Sequence, residues 1–109
     1  MNYILEKDCV NKENHSLLIK KKYNYKLSTT SKGVLRISLY DAQAWLREQY
    51  GIYVYPYYED DTWYPGITDM YGQYNSDSYT CYNICTDNNS YTSFEEAFNK
   101  AIREALDWI

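Results

Sequence analysis

One histidine (His15), three cysteines (Cys9, Cys81 and Cys85) and the acidic run Glu59-Asp60-Asp61 are the side chains of this sequence best suited to acid–base, nucleophilic or metal chemistry. None stands in the pattern such chemistry demands. His15 lies among Lys12, Glu13, Asn14 and Ser16 in a stretch without a sustained period, whereas a general base must be held within hydrogen-bonding reach of its target; it reads as a solvated surface residue. A cysteine–histidine pair would need Cys9 or a later cysteine brought to His15, and no motif does that. Cys81 and Cys85 are four apart, while a structural zinc site takes four ligands and usually spaces its cysteines by two residues. They read as small apolar fillers of a strand, roughly 13 Å apart if that strand is continuous and so beyond disulfide reach. The odd cysteine count points to free thiols and a reducing compartment. The acidic run, with Asp69 and Asp77 further on, lacks the Asp-x-Asp-x-Asp-Gly spacing of a calcium loop and reads as a solvated turn, or as a negative surface for a basic partner. No catalytic residue, metal ligand or cofactor is expected, and the chain reads as a non-enzyme.

Tyrosine is the residue that stands out, at 15 of 109 positions against 2 Phe and 3 Trp. In the run Ile52-Tyr53-Val54-Tyr55-Pro56-Tyr57-Tyr58, strand alternation puts Tyr53, Tyr55 and Tyr57 on one face and Ile52, Val54 and Tyr58 on the other. If helices cover the aliphatic face, the tyrosines form an aromatic row. Such a row can pack in the core or beneath another segment, stack the bases of a single strand, or bind protein, since tyrosine offers large contact area at low entropic cost. Neighbouring acids count against phosphate and favour protein. The proposed contact set is Tyr53, Tyr55, Tyr57, Tyr58, Asp60, Trp63 and Tyr64.

The elements that must position this row follow from caps and periods. Ser38 with Asp41 opens a helix carrying Leu39, Ala42, Leu46 and Tyr50 at helical spacing beside Trp45, and Gly51 ends it. Residues 52–58 form a β-branched and aromatic strand, with Pro56 marking an edge or bulge. A second strand is expected over 63–70, interrupted by Pro65-Gly66, and a third over 78–86, closed by Asp87-Asn88-Asn89. Ser93 with Glu96 opens the last helix, where Phe94, Ala97, Phe98, Ala101, Ile102, Ala105, Leu106 and Ile109 make one continuous stripe. The fold class expected is α+β: a two-layer α-β-β-β-α domain over residues 37–109, a small antiparallel three-stranded sheet packed by two helices.

Leu39-Tyr40-Asp41-Ala42-Gln43-Ala44-Trp45-Leu46-Arg47-Glu48, the tyrosine-rich strand after a glycine, and the closing helix from Tyr91-Thr92-Ser93-Phe94-Glu95-Glu96-Ala97 to Ala101-Ile102-Arg103-Glu104-Ala105-Leu106 resemble a family of small uncharacterised proteins. These occur in bacteriophages and in Bacteroides-type gut bacteria carrying phage or mobile-element genes. The resemblance covers about residues 39–109 and rests on caps and core positions. It implies a shared fold and a phage or mobile-element origin, and no activity.

Residues 1–36 differ in character: eight basic against three acidic residues give +5, while three basic against twelve acidic give −9 over residues 37–109. This part, closing in the polar stretch Ser28-Thr29-Thr30-Ser31-Lys32-Gly33, is expected as a basic, irregular N-terminal arm and linker, extended, partly ordered or docked on the body, with a short element possible near 16–25. Its Lys20, Lys21, Lys22, Lys26 and Lys32 define the alternative function, nucleic-acid binding through counterion release. The α-β-β-β-α order is shared with double-stranded-RNA-binding domains, but those place cations at the start of the last helix, where this chain has Glu95 and Glu96. No run reaches the roughly 18 apolar residues of a membrane span, and no basic n-region with an apolar stretch opens the chain. The expectation is a cytoplasmic protein-binding domain without membrane partners, a monomer or weak homodimer, any self-pairing falling at the edge beside Pro56 or along the last helix.

Overall fold

Capping chemistry sets the two principal helices of the computed structural model, which describes residues 2–73, the strand backbone at 82–83, and residues 91–109. Ser38 Oγ accepts the Asp41 N–H at 2.9 Å and opens α2 (Leu39–Tyr50). Gly51 ends it at φ 68°, where a side chain would be strained and a Cβ would overlap the Tyr71 ring. Ser93 Oγ accepts the Glu96 N–H at 3.1 Å and opens α3 (Phe94–Trp108), which buries Ala97, Phe98, Ala101, Ile102, Ala105 and Leu106 along its stripe. Glu95 and Glu96 in its first turn complement the helix dipole.

Between these helices lies a long antiparallel hairpin, β3 (Ile52–Glu59) and β4 (Thr62–Asp69). Asp60 and Asp61 form its two-residue turn, both at positive φ (52° and 62°), the backbone of a type I′ turn whose twist matches that of the strands. The turn fixes the register, and the register places Pro56 opposite Pro65. Two residues without N–H groups cannot exchange hydrogen bonds, so this is a non-hydrogen-bonded pair, and alternation makes Val54↔Ile67 and Tyr58↔Trp63 the same kind. Their backbone groups therefore face the outer edges. The Val54 carbonyl accepts from Gln43 Nε2 of α2 at 2.7 Å, and Trp63 exchanges both backbone bonds with Tyr91, at 3.0 and 2.9 Å. β3 is an edge strand, as Pro56 foretells.

On the outer side of β4, the two-residue β5 (Tyr82–Asn83) pairs at Gly66 and Ile67. The rest of the strand expected over 78–86, with Cys81 and Cys85, lies outside the described residues, as do Asp77 and the 87–89 turn. The described sheet is thus a long hairpin with a two-residue flank in place of three full strands. Helices α2 and α3 pack on its Ile52, Val54 and Ile67 face, giving a mixed α+β structure.

The segment before Ile37, expected as irregular, contains regular structure. Helix α1 (Lys12–Lys20) is capped by Asn11, whose side chain accepts the Asn14 N–H. It packs on α3, and Val10 and Leu18 join Ile37, Trp45, Phe98 and Ile102 in one hydrophobic core. The stretch expected as linker forms a β-hairpin, β1 (Ser28–Thr29) and β2 (Leu35–Arg36), turning at Gly33 with φ 78°. Its loop is short and glycine-bearing, which is what such a hairpin needs.

Candidate functional site

The hairpin register sorts the proposed contact residues between two faces. Ile52, Val54, Pro56 and Tyr58 share the helix-covered face with Trp63, Pro65, Ile67 and Asp69, leaving Tyr53, Tyr55, Tyr57 and Tyr64 together on the opposite face. There the rings form a row: Tyr53 stacks on Tyr55 at 5.1 Å, Tyr55 meets Tyr57 at 6.2 Å, and Tyr57 stacks on its cross-strand partner Tyr64 at 5.5 Å. Such pairs stabilise a sheet by about 0.2–1 kcal/mol each. Tyr55 lies over Gly66 of the neighbouring strand, where any Cβ would overlap its ring. Tyr53 is exposed and the other three are half-buried.

Tyr58 and Trp63 are not part of this row. Their rings meet at 5.0 Å on the helix side, and Trp63 continues edge-to-face into Phe94 (5.3 Å), Phe98 and Tyr40. That column ties the end of the hairpin to α3 and α2. Asp60 lies at the exposed turn between the two faces, beside Glu59 and Asp61. Asp69 is remote from them: it pairs with Ile52 at the other end of the hairpin, is fully buried, and accepts the Gln73 N–H at 3.1 Å.

The lysines of the alternative reading have mixed surroundings. Lys20, Lys22, Lys26 and Lys32 are exposed, whereas Lys21 is half-buried and its Nζ donates to the Ile109 carbonyl at 2.6 Å. Lys22 ends α1 at φ 66°, a left-handed position usually held by glycine. The following loop docks on α2: Tyr23 packs on Trp45 at 5.6 Å, Trp45 Nε1 donates to Asn24 Oδ1 at 2.9 Å, and the Tyr25 hydroxyl donates to Glu48. Burial pushes the Tyr23 phenol above its ordinary range, with Asp41 and Tyr25 adding to the effect.

His15 is half-buried on α1, not solvated in an irregular stretch, and its Nδ1 is buried without a hydrogen-bond partner. Cys9 is buried, its Sγ donates to the Leu5 carbonyl at 3.4 Å, and burial raises its thiol pKa. No cluster of three or more His, Cys, Asp or Glu placed to hold a metal occurs among the described residues. No helix among them is long and apolar enough to cross a membrane.

Sequence reasoning missed a polar groove of about 720 Å³ between residues 6–14 and α3. Its two arginines are in ion pairs: Arg36 with Glu6 at 2.7 Å, Arg103 with Glu13 at 2.6 Å and with Asp107. At its floor Asn14 Nδ2 donates to the Asn99 carbonyl at 2.8 Å and to Asn99 Oδ1 at 3.1 Å. These contacts fasten the N-terminal segment to α3. The only signal for them was Asn11 and Asn14 at cap spacing. Compared with family models, curated proteins and solved structures, the chain shows no match.

Proposed function

We propose that this chain is a small non-catalytic binding domain of phage or mobile-element origin that docks another protein in the cytoplasm on its tyrosine-bearing sheet face. In this reading the segment around β5 completes a three-stranded sheet in an α-β-β-β-α layout. The observation that carries the proposal is the stacked row of Tyr53, Tyr55, Tyr57 and Tyr64 on the face opposite the helices. Tyrosines held in register by one another lose little entropy on binding, which is what hot-spot residues need. The turn Glu59-Asp60-Asp61 beside the row favours a partner with basic residues flanking its apolar anchors. Tyr58 and Trp63, on the opposite face, fall outside this docking surface.

The test is affinity capture of partners on the whole chain and on the Tyr53→Ala, Tyr64→Ala double variant, with folding checked by circular dichroism. Loss of a captured partner from the folded double variant is the expected result; equal capture by both chains overturns the assignment. The second reading, nucleic-acid binding, is favoured by the exposure of Lys20, Lys22, Lys26 and Lys32. It requires oligonucleotide binding that falls steeply with salt.

A further inference from the structure

Strand alternation carries the tyrosine series into the acidic turn. Tyr53, Tyr55, Tyr57 and Glu59 occupy the same side of β3, with Tyr64 beside Tyr57, so a carboxylate stands in line with the rings. Glu59, Asp60 and Asp61 are all exposed, and none is ion-paired among the described residues. The row itself ends on Tyr53 and Tyr64, whose hydroxyls carry no hydrogen bond among the described residues. Both edges of the hairpin are poor templates for an added strand. On β3, Pro56 lacks an N–H and the Val54 carbonyl is taken by Gln43; on β4, Trp63 is paired with Tyr91 and Ile67 with Tyr82. A partner on this side of the molecule therefore binds through the face, by side chains.

We propose, building on the tyrosine face as a protein-docking surface, that its occupant is a proline-rich segment in the polyproline II conformation, with arginine or lysine at the end that meets the turn. Proline carries no N–H, so such a segment brings carbonyl acceptors and no backbone donor that burial would leave unpaired. Tyrosine offers the complement, an apolar ring and an O–H donor. The fixed φ of proline holds the segment extended before it binds, so little chain entropy is lost on docking. Tyr53 and Tyr57 are about 13 Å apart along the strand, a length that about four residues of polyproline II cover at about 3.1 Å each. Basic residues just beyond them reach Glu59, Asp60 and Asp61, in a stretch, 37–109, that holds twelve acids against three bases.

Fluorescence anisotropy of a labelled peptide, eight prolines followed by two arginines, titrated with the full chain tests the proposal. Two control peptides replace the prolines by glycine and serine, or the arginines by glutamate. The proline–arginine peptide should bind at least about tenfold more tightly than either control. Tyr53→Ala combined with Tyr64→Ala should weaken it by about the same factor. Glu59→Gln with Asp60→Asn and Asp61→Asn removes the three charges while keeping residue types that accept the left-handed turn, and should erase the preference for arginine over glutamate. This second variant decides the matter if the tyrosine variant does not fold. Equal binding of the glycine–serine peptide, no binding of the proline–arginine peptide, or binding that neither folded variant weakens overturns the proposal. If one of these results is found while capture of a partner still depends on Tyr53 and Tyr64, the docking face stands and only its proline-rich occupant falls.

Discussion

Individual residues here reveal where local conformation and side-chain type disagree. Lys22 occupies the left-handed position that closes α1, with the Tyr23 N–H returning to the Leu18 carbonyl at 2.9 Å. Lys22→Gly should raise stability by about 0.5–1 kcal/mol in urea denaturation, because glycine adopts this conformation without steric penalty. This residue also explains why α1 was illegible in the sequence. The helix lacks a glycine stop, and of its nine residues only Asn14 and Leu18 are buried, too few to make a stripe. Tyr23 gives a pH signature. Its folded pKa lies above its ordinary value near 10, so its contribution to stability is complete below about pH 10 and is lost as pH rises through the raised value. Urea midpoints of the native chain should therefore drop above about pH 10, and Tyr23→Phe should flatten that drop.

The elements show which sequence signals survive folding. Helices α2 and α3 were readable because caps and apolar stripes act locally, and Ser38, Gly51 and Ser93 do what their types predict. The tyrosine alternation of β3 was readable for the same reason. What alternation along one strand does not give is the partner's register. Trp63 falls behind the sheet with Tyr58, and Tyr64 in front with Tyr57, because Asp60 and Asp61 make a two-residue turn. The β1–β2 hairpin escaped notice because its strands are only two residues long. Gly66→Ala tests the fit of the tyrosine row to its own sheet. A methyl group there displaces the Tyr55 ring, so the variant should lose about 1–2 kcal/mol of stability in the same denaturation assay.

At the scale of the whole molecule, one core joins the basic N-terminal segment to the acidic remainder, through Val10 and Leu18 against α2 and α3. The sequence displayed the charge asymmetry and left docking on the body as one option, but not the contacts that make it, which are single residues and the Asn14–Asn99 and Arg103–Glu13 pairs far apart in the chain. The result is a body whose helices are committed to the core, leaving the tyrosine side of the hairpin as the surface on which the functional reading rests. Site-specific photocrosslinking from position 53, with a photoreactive phenylalanine in place of Tyr53 and a matched probe at exposed Ser16 on α1 as control, tests that claim most directly. The account predicts a discrete crosslinked protein from position 53 that disappears when Tyr64→Ala is added and does not form from position 16. A crosslink that forms equally from both positions, or that is indifferent to Tyr64→Ala, would contradict it.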